Sequence, residues 1–158
     1  MQINRVSFSK QAIEMFQSEI DIFGNIETGG VMLGYVTDET IYVEKVSNGG
    51  SKAIHDYLYF KADNNYIEMF IDMEIANFGG KLRYLGEWHT HPERNPNPSV
   101  LDLDSLEEIA ESTGDFCLFV ILGSIEYKRS LFLDQSIAIL KEKDIDTFYE
   151  IDKSTNTV

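Results

Sequence analysis

Cysteine is almost absent from this chain. Cys117 is the only one among 158 residues, so an intrachain disulfide is excluded. Its neighbours Phe116, Leu118 and Phe119 are apolar and indicate a buried thiol, whereas a catalytic cysteine needs an exposed, electropositive setting. The sequence therefore argues against a thiol-dependent enzyme.

Basic residues are also scarce. The chain has 13 Lys and Arg against 27 Asp and Glu, a formal net charge of −14. A nucleic-acid partner is not expected because few side chains are available to neutralise phosphates, and an anionic membrane surface is disfavoured for the same reason. Two interpretations of the acidity stay open: it steers a basic partner, or it maintains solubility.

Long apolar runs are missing as well. No stretch approaches the length of a membrane span, and no basic segment followed by an apolar run opens the chain, so we expect a cytoplasmic protein without secretion or membrane anchor. With 43% hydrophobic residues, the chain is expected to form a single domain over residues 1–158 with its own core.

The spacing of apolar residues predicts an α/β (α+β) structure with a single mixed central sheet flanked by helices. Strands are predicted over residues 3–8, 28–36, 40–46, 56–62, 84–91 and 115–122, and helices over 9–23, 63–78 and from 99 onward. Residues 137–151 fit either a strand or a helix. Met69, Met73 and Leu103 are predicted to face the core, and His55 to lie on the surface.

The most informative segment is Glu87-Trp88-His89-Thr90-His91-Pro92. Residues two apart on a strand point to the same face, so His89 and His91 project together and Trp88 points the other way. Pro92 is expected to end the strand because it cannot donate to a sheet ladder. Two imidazoles together with the carboxylate of Asp102 would leave a fourth ligand position open, which is typical of catalytic zinc.

Ser99 and Asp102 also have a purely structural interpretation. A serine with an acid three residues later, before an apolar run, is typical of a helix N-cap with a capping box. This interpretation requires no metal. The two are compatible, because an acid in the first helical turn can still face a ligand.

Glu27 precedes the glycine-rich strand Thr28-Gly29-Gly30-Val31-Met32-Leu33-Gly34, and alone it is best explained as a solvated turn carboxylate. Together with His89, His91, Ser99 and Asp102, however, it matches at every position the motif of the JAMM (MPN-plus, Mov34/PAD-1-like) metalloproteases. The chain resembles this family, and most of all its short bacterial members, which include the deconjugating isopeptidases of CBASS antiphage operons.

The resemblance implies a cytidine-deaminase-like JAB/MPN fold. It also implies one Zn2+ per chain bound by His89, His91 and Asp102, with Glu27 as the general acid-base and Ser99 as a donor to the developing oxyanion. The implied substrate is an amide after the C-terminal glycine of a ubiquitin-like protein, or of a tail conjugated to one. The implied operon partners are a ubiquitin-activating-like enzyme and a nucleotidyltransferase. The region equivalent to His55 borders the cleft in this family, so a contact of His55 with substrate is the alternative to a surface position.

Two alternatives remain within the same resemblance. The enzyme would trim the C-terminus of a sulfur-carrier protein in cysteine or cofactor synthesis, or the chain would be a non-catalytic scaffold of the same fold. The complete set of motif residues argues against a scaffold, because scaffolds of this family usually lose the ligands.

Overall fold

The computed structural model describes residues 2–92, 96–124, 136–142 and 145–150. Its strands are β1 (Arg5–Phe8), β2 (Gly29–Thr37), β3 (Thr40–Val46), β4 (Ile54–His55), β5 (Phe60–Lys61), β6 (Arg83–Pro92), β7 (Phe116–Ser124), β8 (Ile137–Glu142) and β9 (Ile145–Glu150). Its helices are α1 (Lys10–Phe23), α2 (Asn64–Asn77) and α3 (Val100–Thr113).

The main sheet is mixed and has the strand order β1-β3-β2-β6-β7-β8-β9. The pairs β1/β3 and β6/β7 are parallel, and the other neighbours are antiparallel. The sheet is curled, because the Tyr149 hydroxyl on β9 donates to the backbone carbonyl of Ile3 at 2.6 Å, next to the opposite edge. The predicted α+β architecture is confirmed, and β4 and β5 add a separate two-stranded sheet.

Local chemistry sets the helix ends. The Ser9 side chain accepts the Ala12 N–H at 3.1 Å and begins α1, and Gly24 ends it with a φ of 61° that favours glycine. Asp63 caps α2 in the same way, accepting from Tyr66. Both helices therefore begin next to the first residue of their predicted ranges, 9–23 and 63–78.

Hydrophobic cores lie on both faces of the sheet. On one face α1 packs through Phe16 against Trp88, with ring centroids 4.8 Å apart. On the other face α3 packs through Leu106 and Ala110 against β7 and β8. His89 lies on this α3 side, where its ring contacts Phe119 of that cluster with centroids 5.4 Å apart.

Three core predictions are wrong. Met69 and Met73 are 52% and 55% exposed, because α2 turns a different side to the protein and Ile67 is its buried residue. Leu103 is 38% exposed, while Leu106, one turn later, is buried. Helical spacing identified an apolar stripe in each case, but it does not determine which part of the stripe is covered.

The prediction of one strand over residues 56–62 is also wrong. The chain forms a hairpin of two short strands, in which His55 pairs with Phe60 and the Asp56 N–H donates to the Tyr59 carbonyl at 2.8 Å. That bond closes a turn in the middle of the predicted strand. The ambiguous segment 137–151 forms strands β8 and β9 where it is described. The sequence also suggests Glu93 and Arg94 as substrate contacts, and these two residues lie outside the described ones.

Within the described parts of the chain, no helix is long and apolar enough to cross a membrane.

Candidate metal centre

Strand β6 presents its two histidines side by side, as predicted. His89 and His91 are 9% and 2% exposed, and their Nε2 atoms lie 3.1 Å apart. Trp88 projects to the opposite face, where it is buried and its indole N–H donates to the Ser47 carbonyl at 2.9 Å. The alternation of the strand therefore places both imidazoles on one face, in the interior.

Gly29 allows β2 to approach the first histidine closely. It pairs with His89 across the β2/β6 ladder. A Cβ added at Gly29 would lie 2.3 Å from the Trp88 carbonyl oxygen and 3.0 Å from the His89 Cβ. Any larger residue would push the two strands apart at the histidine, so this glycine is needed for packing at the site.

Ser99 begins α3 with the complete capping box. Its hydroxyl accepts the Asp102 N–H at 3.1 Å, and the Asp102 Oδ2 accepts the Ser99 N–H at 2.8 Å. The structural interpretation of these residues is therefore confirmed. The cap also orients the Asp102 carboxylate toward β6.

The Asp102 carboxylate and the two histidine side chains form a compact triangle, in which each histidine faces a different carboxylate oxygen. Asp102 Oδ2 lies 3.1 Å from His91 Nε2, and Asp102 Oδ1 lies 3.3 Å from His89 Nε2. Zinc bound at its usual ligand distances would hold tetrahedral ligand atoms about 3.3 Å apart. The donor types and these separations therefore fit a zinc site.

The electrostatics favour a cation at this point. Burial alone would raise the pKa of Asp102, but its hydrogen bonds with His89 and His91, and that from the Ser99 amide, hold the pKa far below its usual range. Asp102 is thus an anion whose side chain is only 18% exposed. A half-buried carboxylate facing two imidazole nitrogens is a set of donors that divalent zinc binds well.

Glu27 is also brought to this centre. It is 5% exposed, so the interpretation as a solvated turn carboxylate is wrong. Its Oε1 lies 3.9 Å from His91 Nε2, and one ligand atom from each of Glu27, His89 and His91 lies within 4.8 Å of the others. The five motif residues therefore lie together, where the end of β6 meets the residues just before β2 and the first turn of α3.

His55, which we expect on the surface, is half-buried. Its ring stacks on Phe23 with centroids 3.8 Å apart, and its Nδ1 lies 3.0 Å from the Glu27 carbonyl oxygen. The residues that follow it, Tyr57, Leu58 and Tyr59, are at least half exposed, so the adjacent sequence carries no signal of this contact with Glu27.

Two further ionisable groups lie on the α3 side of the sheet. Burial raises the pKa of Glu87, two residues before His89, to about 7. Burial also raises the pKa of Cys117 to about 12, and Cys117 is fully buried. A thiol with so high a pKa is not a nucleophile near neutral pH, and the expected core role of Cys117 is confirmed.

The chain is similar to a family of prokaryotic JAB-domain proteins and to individual isopeptidases and metalloproteases. A family model described as prokaryotic homologs of the JAB domain matches residues 24–134. A CD-NTase/cGAS isopeptidase of Pseudomonas aeruginosa is 33% identical over 73% of this chain and 75% of its own length. A probable metalloprotease of Sinorhizobium fredii is 31% identical over 65% of this chain and 64% of its own length.

A structural neighbour shows the same fold. It is a protein from Desulfitobacterium hafniense whose structure was solved in solution, with a TM-score of 0.64 and 18% identity. The alignment covers 93% of this chain and 91% of the neighbour. The matched family region contains every motif residue from Glu27 to Asp102, and the chain belongs to the prokaryotic homologs of the JAB domain.

Proposed function

We propose that this protein is a zinc-dependent isopeptidase. It hydrolyses the amide bond after the C-terminal glycine of a ubiquitin-like protein, or of a tail conjugated to one, and so reverses a conjugation in a bacterial antiphage system. The observation that carries the proposal is the triangle of His89, His91 and Asp102, with ligand atoms 3.1–3.3 Å apart and Glu27 beside it.

The assignment of roles follows the JAMM motif, which the chain matches at every position. His89, His91 and Asp102 would bind one Zn2+, and Glu27 holds the acid-base position of the motif. The Glu27 oxygen lies 3.9 Å from His91 Nε2, farther than the Asp102 oxygen, which agrees with this role. When bound, zinc supplies Lewis-acid activation of water and of the amide carbonyl.

The protein's own groups move the protons. The Glu27 carboxylate accepts a proton from the attacking water and delivers it to the departing amine nitrogen as the C–N bond breaks. The Ser99 hydroxyl, which accepts the Asp102 N–H, donates its own proton in a hydrogen bond to the carbonyl oxygen as negative charge develops there. A free carboxyl and a free amine result.

The nature of the substrate is supported by the relatives. Isopeptidases of CD-NTases from several bacteria are among the similar proteins, so a CD-NTase conjugate is the first substrate to test. The chain of residues 1–158 is proposed to act as one JAB/MPN domain. We propose that this domain binds the extended tail with its own surface, most simply by strand addition at a sheet edge.

The test uses the zinc-loaded protein and three substrates. The first is a ubiquitin-like domain whose C-terminal glycine is joined to a lysine of a CD-NTase, the second a sulfur-carrier protein with a C-terminal extension, and the third casein. We expect cleavage of the first after the glycine, by mass spectrometry. Cleavage of only the second would support the sulfur-carrier alternative. Casein cleaved at a comparable rate, with the conjugate intact, would indicate a general peptidase.

The catalytic role of Glu27 is tested in the same assay. Glu27→Gln removes proton transfer without removing a ligand, so zinc content and folding should persist while turnover falls by about 10³-fold. Glu108→Gln is the matched control, because Glu108 is an exposed glutamate of α3 and should behave like the wild type. A Glu27→Gln variant with wild-type turnover would refute the acid-base assignment.

A further inference from the structure

Glu27 lies outside the hydrogen-bond ladder of the main sheet, yet its backbone N–H and its backbone carbonyl both contact the β4–β5 hairpin segment. Strand β2 begins two residues later, at Gly29. The Glu27 N–H donates to the Asp56 carbonyl at 2.9 Å, and the Glu27 carbonyl oxygen lies 3.0 Å from the His55 Nδ1. Two consecutive residues of the β4–β5 hairpin segment thus take the place of a neighbouring strand.

The contact with His55 has a defined chemistry. A carbonyl oxygen can only accept a hydrogen bond, so the His55 Nδ1 must carry the proton. The ring is held in that orientation by stacking on Phe23, with an interplanar angle of 15°, and by Phe60, whose centroid lies 5.3 Å away. The donor is therefore fixed by packing before any substrate binds.

The residue after Glu27 is anchored to other parts of the fold. The Thr28 N–H donates to the Thr90 hydroxyl at 3.0 Å, and the Thr90 N–H donates to the Thr28 carbonyl at 2.9 Å. The Thr28 hydroxyl donates to the buried Glu19 carboxylate of α1 at 3.0 Å. Thr28 is thus fixed to β6 between the two histidines, and the contacts with the hairpin segment hold the backbone of Glu27 next to it.

We propose that His55 is a positioning residue for Glu27: its Nδ1–H holds the Glu27 backbone so that the carboxylate is directed at the metal centre. The inference rests on the proposed function of Glu27 as the acid-base group. Small displacements of a catalytic group, on the order of 1 Å, can cost about 10²-fold in rate. The hydrogen bond therefore acts on turnover more than on substrate affinity.

A pair of variants separates the hydrogen bond from the packing. His55→Phe keeps a ring to stack on Phe23 but has no donor. His55→Asn loses the ring, but its amide nitrogen occupies the position of Nδ1. We expect His55→Phe to retain thermal stability and zinc content while kcat falls about 10²-fold, with KM changed less than about threefold. We expect His55→Asn to be less stable and yet to recover at least about tenfold of that loss.

Both variants are then combined with Glu27→Gln and assayed on the glycine-to-lysine conjugate under single-turnover conditions. If His55 acts through Glu27, neither His55 variant lowers the residual rate of Glu27→Gln further. The inference is overturned if His55→Asn is as slow as His55→Phe, if His55→Phe turns over at the wild-type rate, or if the losses multiply in the Glu27→Gln background. Should His55→Phe fail to fold, His55→Leu, which also lacks a donor, takes its place in both comparisons.

The outcomes also separate this inference from the proposed function. A slow Glu27→Gln variant together with a fully active His55→Phe variant overturns only the positioning role. A Glu27→Gln variant with wild-type turnover overturns the acid-base role, and with it the role of His55.

Discussion

Asp102 and Ser99 form a reciprocal pair at the start of α3, and the same Asp102 carboxylate faces both histidines of β6. Its Oδ2 accepts the Ser99 N–H at 2.8 Å and lies 3.1 Å from His91 Nε2. One carboxylate therefore stabilises a helix end and completes the candidate metal site. Since the sequence motif is at once a capping box and a ligand set, substitutions are needed to separate these roles.

Ser99→Ala should affect the helix and the rate but not the metal. Loss of the N-cap hydroxyl should lower the free energy of unfolding by about 1 kcal/mol. Loss of the donor to the oxyanion should lower kcat on the order of 10²-fold. Zinc content, measured by elemental mass spectrometry, should stay near one per chain. A variant that loses zinc in parallel with rate would show that Ser99 acts by orienting Asp102.

Asp102→Asn should affect the metal more than the helix. The asparagine oxygen can still accept the Ser99 N–H, so the cap should largely persist, but the negative charge that zinc requires is gone. We expect zinc content and turnover to fall together while circular dichroism shows an intact fold. Asp104→Asn is the matched control on the same helix, where the side chain is exposed. If Asp102→Asn binds zinc like the control, Asp102 is not a ligand.

Removal of both imidazoles tests the centre directly. The His89→Ala, His91→Ala double variant should bind no zinc and have no activity, because two of three protein ligands are lost. The wild type treated with a chelator should lose activity and regain it on addition of about one equivalent of Zn2+. Stoichiometric zinc retained by the double variant would place the metal elsewhere.

Much of the site could be predicted because it depends on local rules. The alternation of a strand places His89 and His91 together, and the chemistry of helix ends places Ser99 and Asp102 in one turn. Glu27 was placed at the site by its family resemblance alone. Its backbone contacts the β4–β5 hairpin, which local sequence reasoning misassigns as one strand.

What could not be predicted depends on contacts between distant segments. His55 is separated from Glu27 by 28 positions, and nothing in its immediate sequence specifies that partner. Met69 and Met73 have the periodicity of a buried stripe but are more than half exposed. Periodicity identifies an apolar face of a helix, but whether that face is buried depends on where the neighbouring elements lie.

Glu87 gives a prediction for pH. Burial raises its folded-state pKa from 4.5 to about 7, so between these values the folded protein holds a proton that the unfolded chain has lost. Stability should therefore fall as pH rises through this window, by at most about 3 kcal/mol. The metal-free protein is the right sample, because a bound dication near His89 would itself favour the charged carboxylate.

Glu87→Gln removes this titration while keeping the size of the side chain. We expect the metal-free variant to be more stable than the wild type at pH 8, where the wild type must bury a charged carboxylate, and nearly equal to it at pH 4, where Glu87 is protonated in both states. Urea unfolding at both pH values measures the difference, with Glu111→Gln as an exposed control on α3. An identical pH profile for wild type and Glu87→Gln would mean that the Glu87 carboxylate is hydrated in the folded protein.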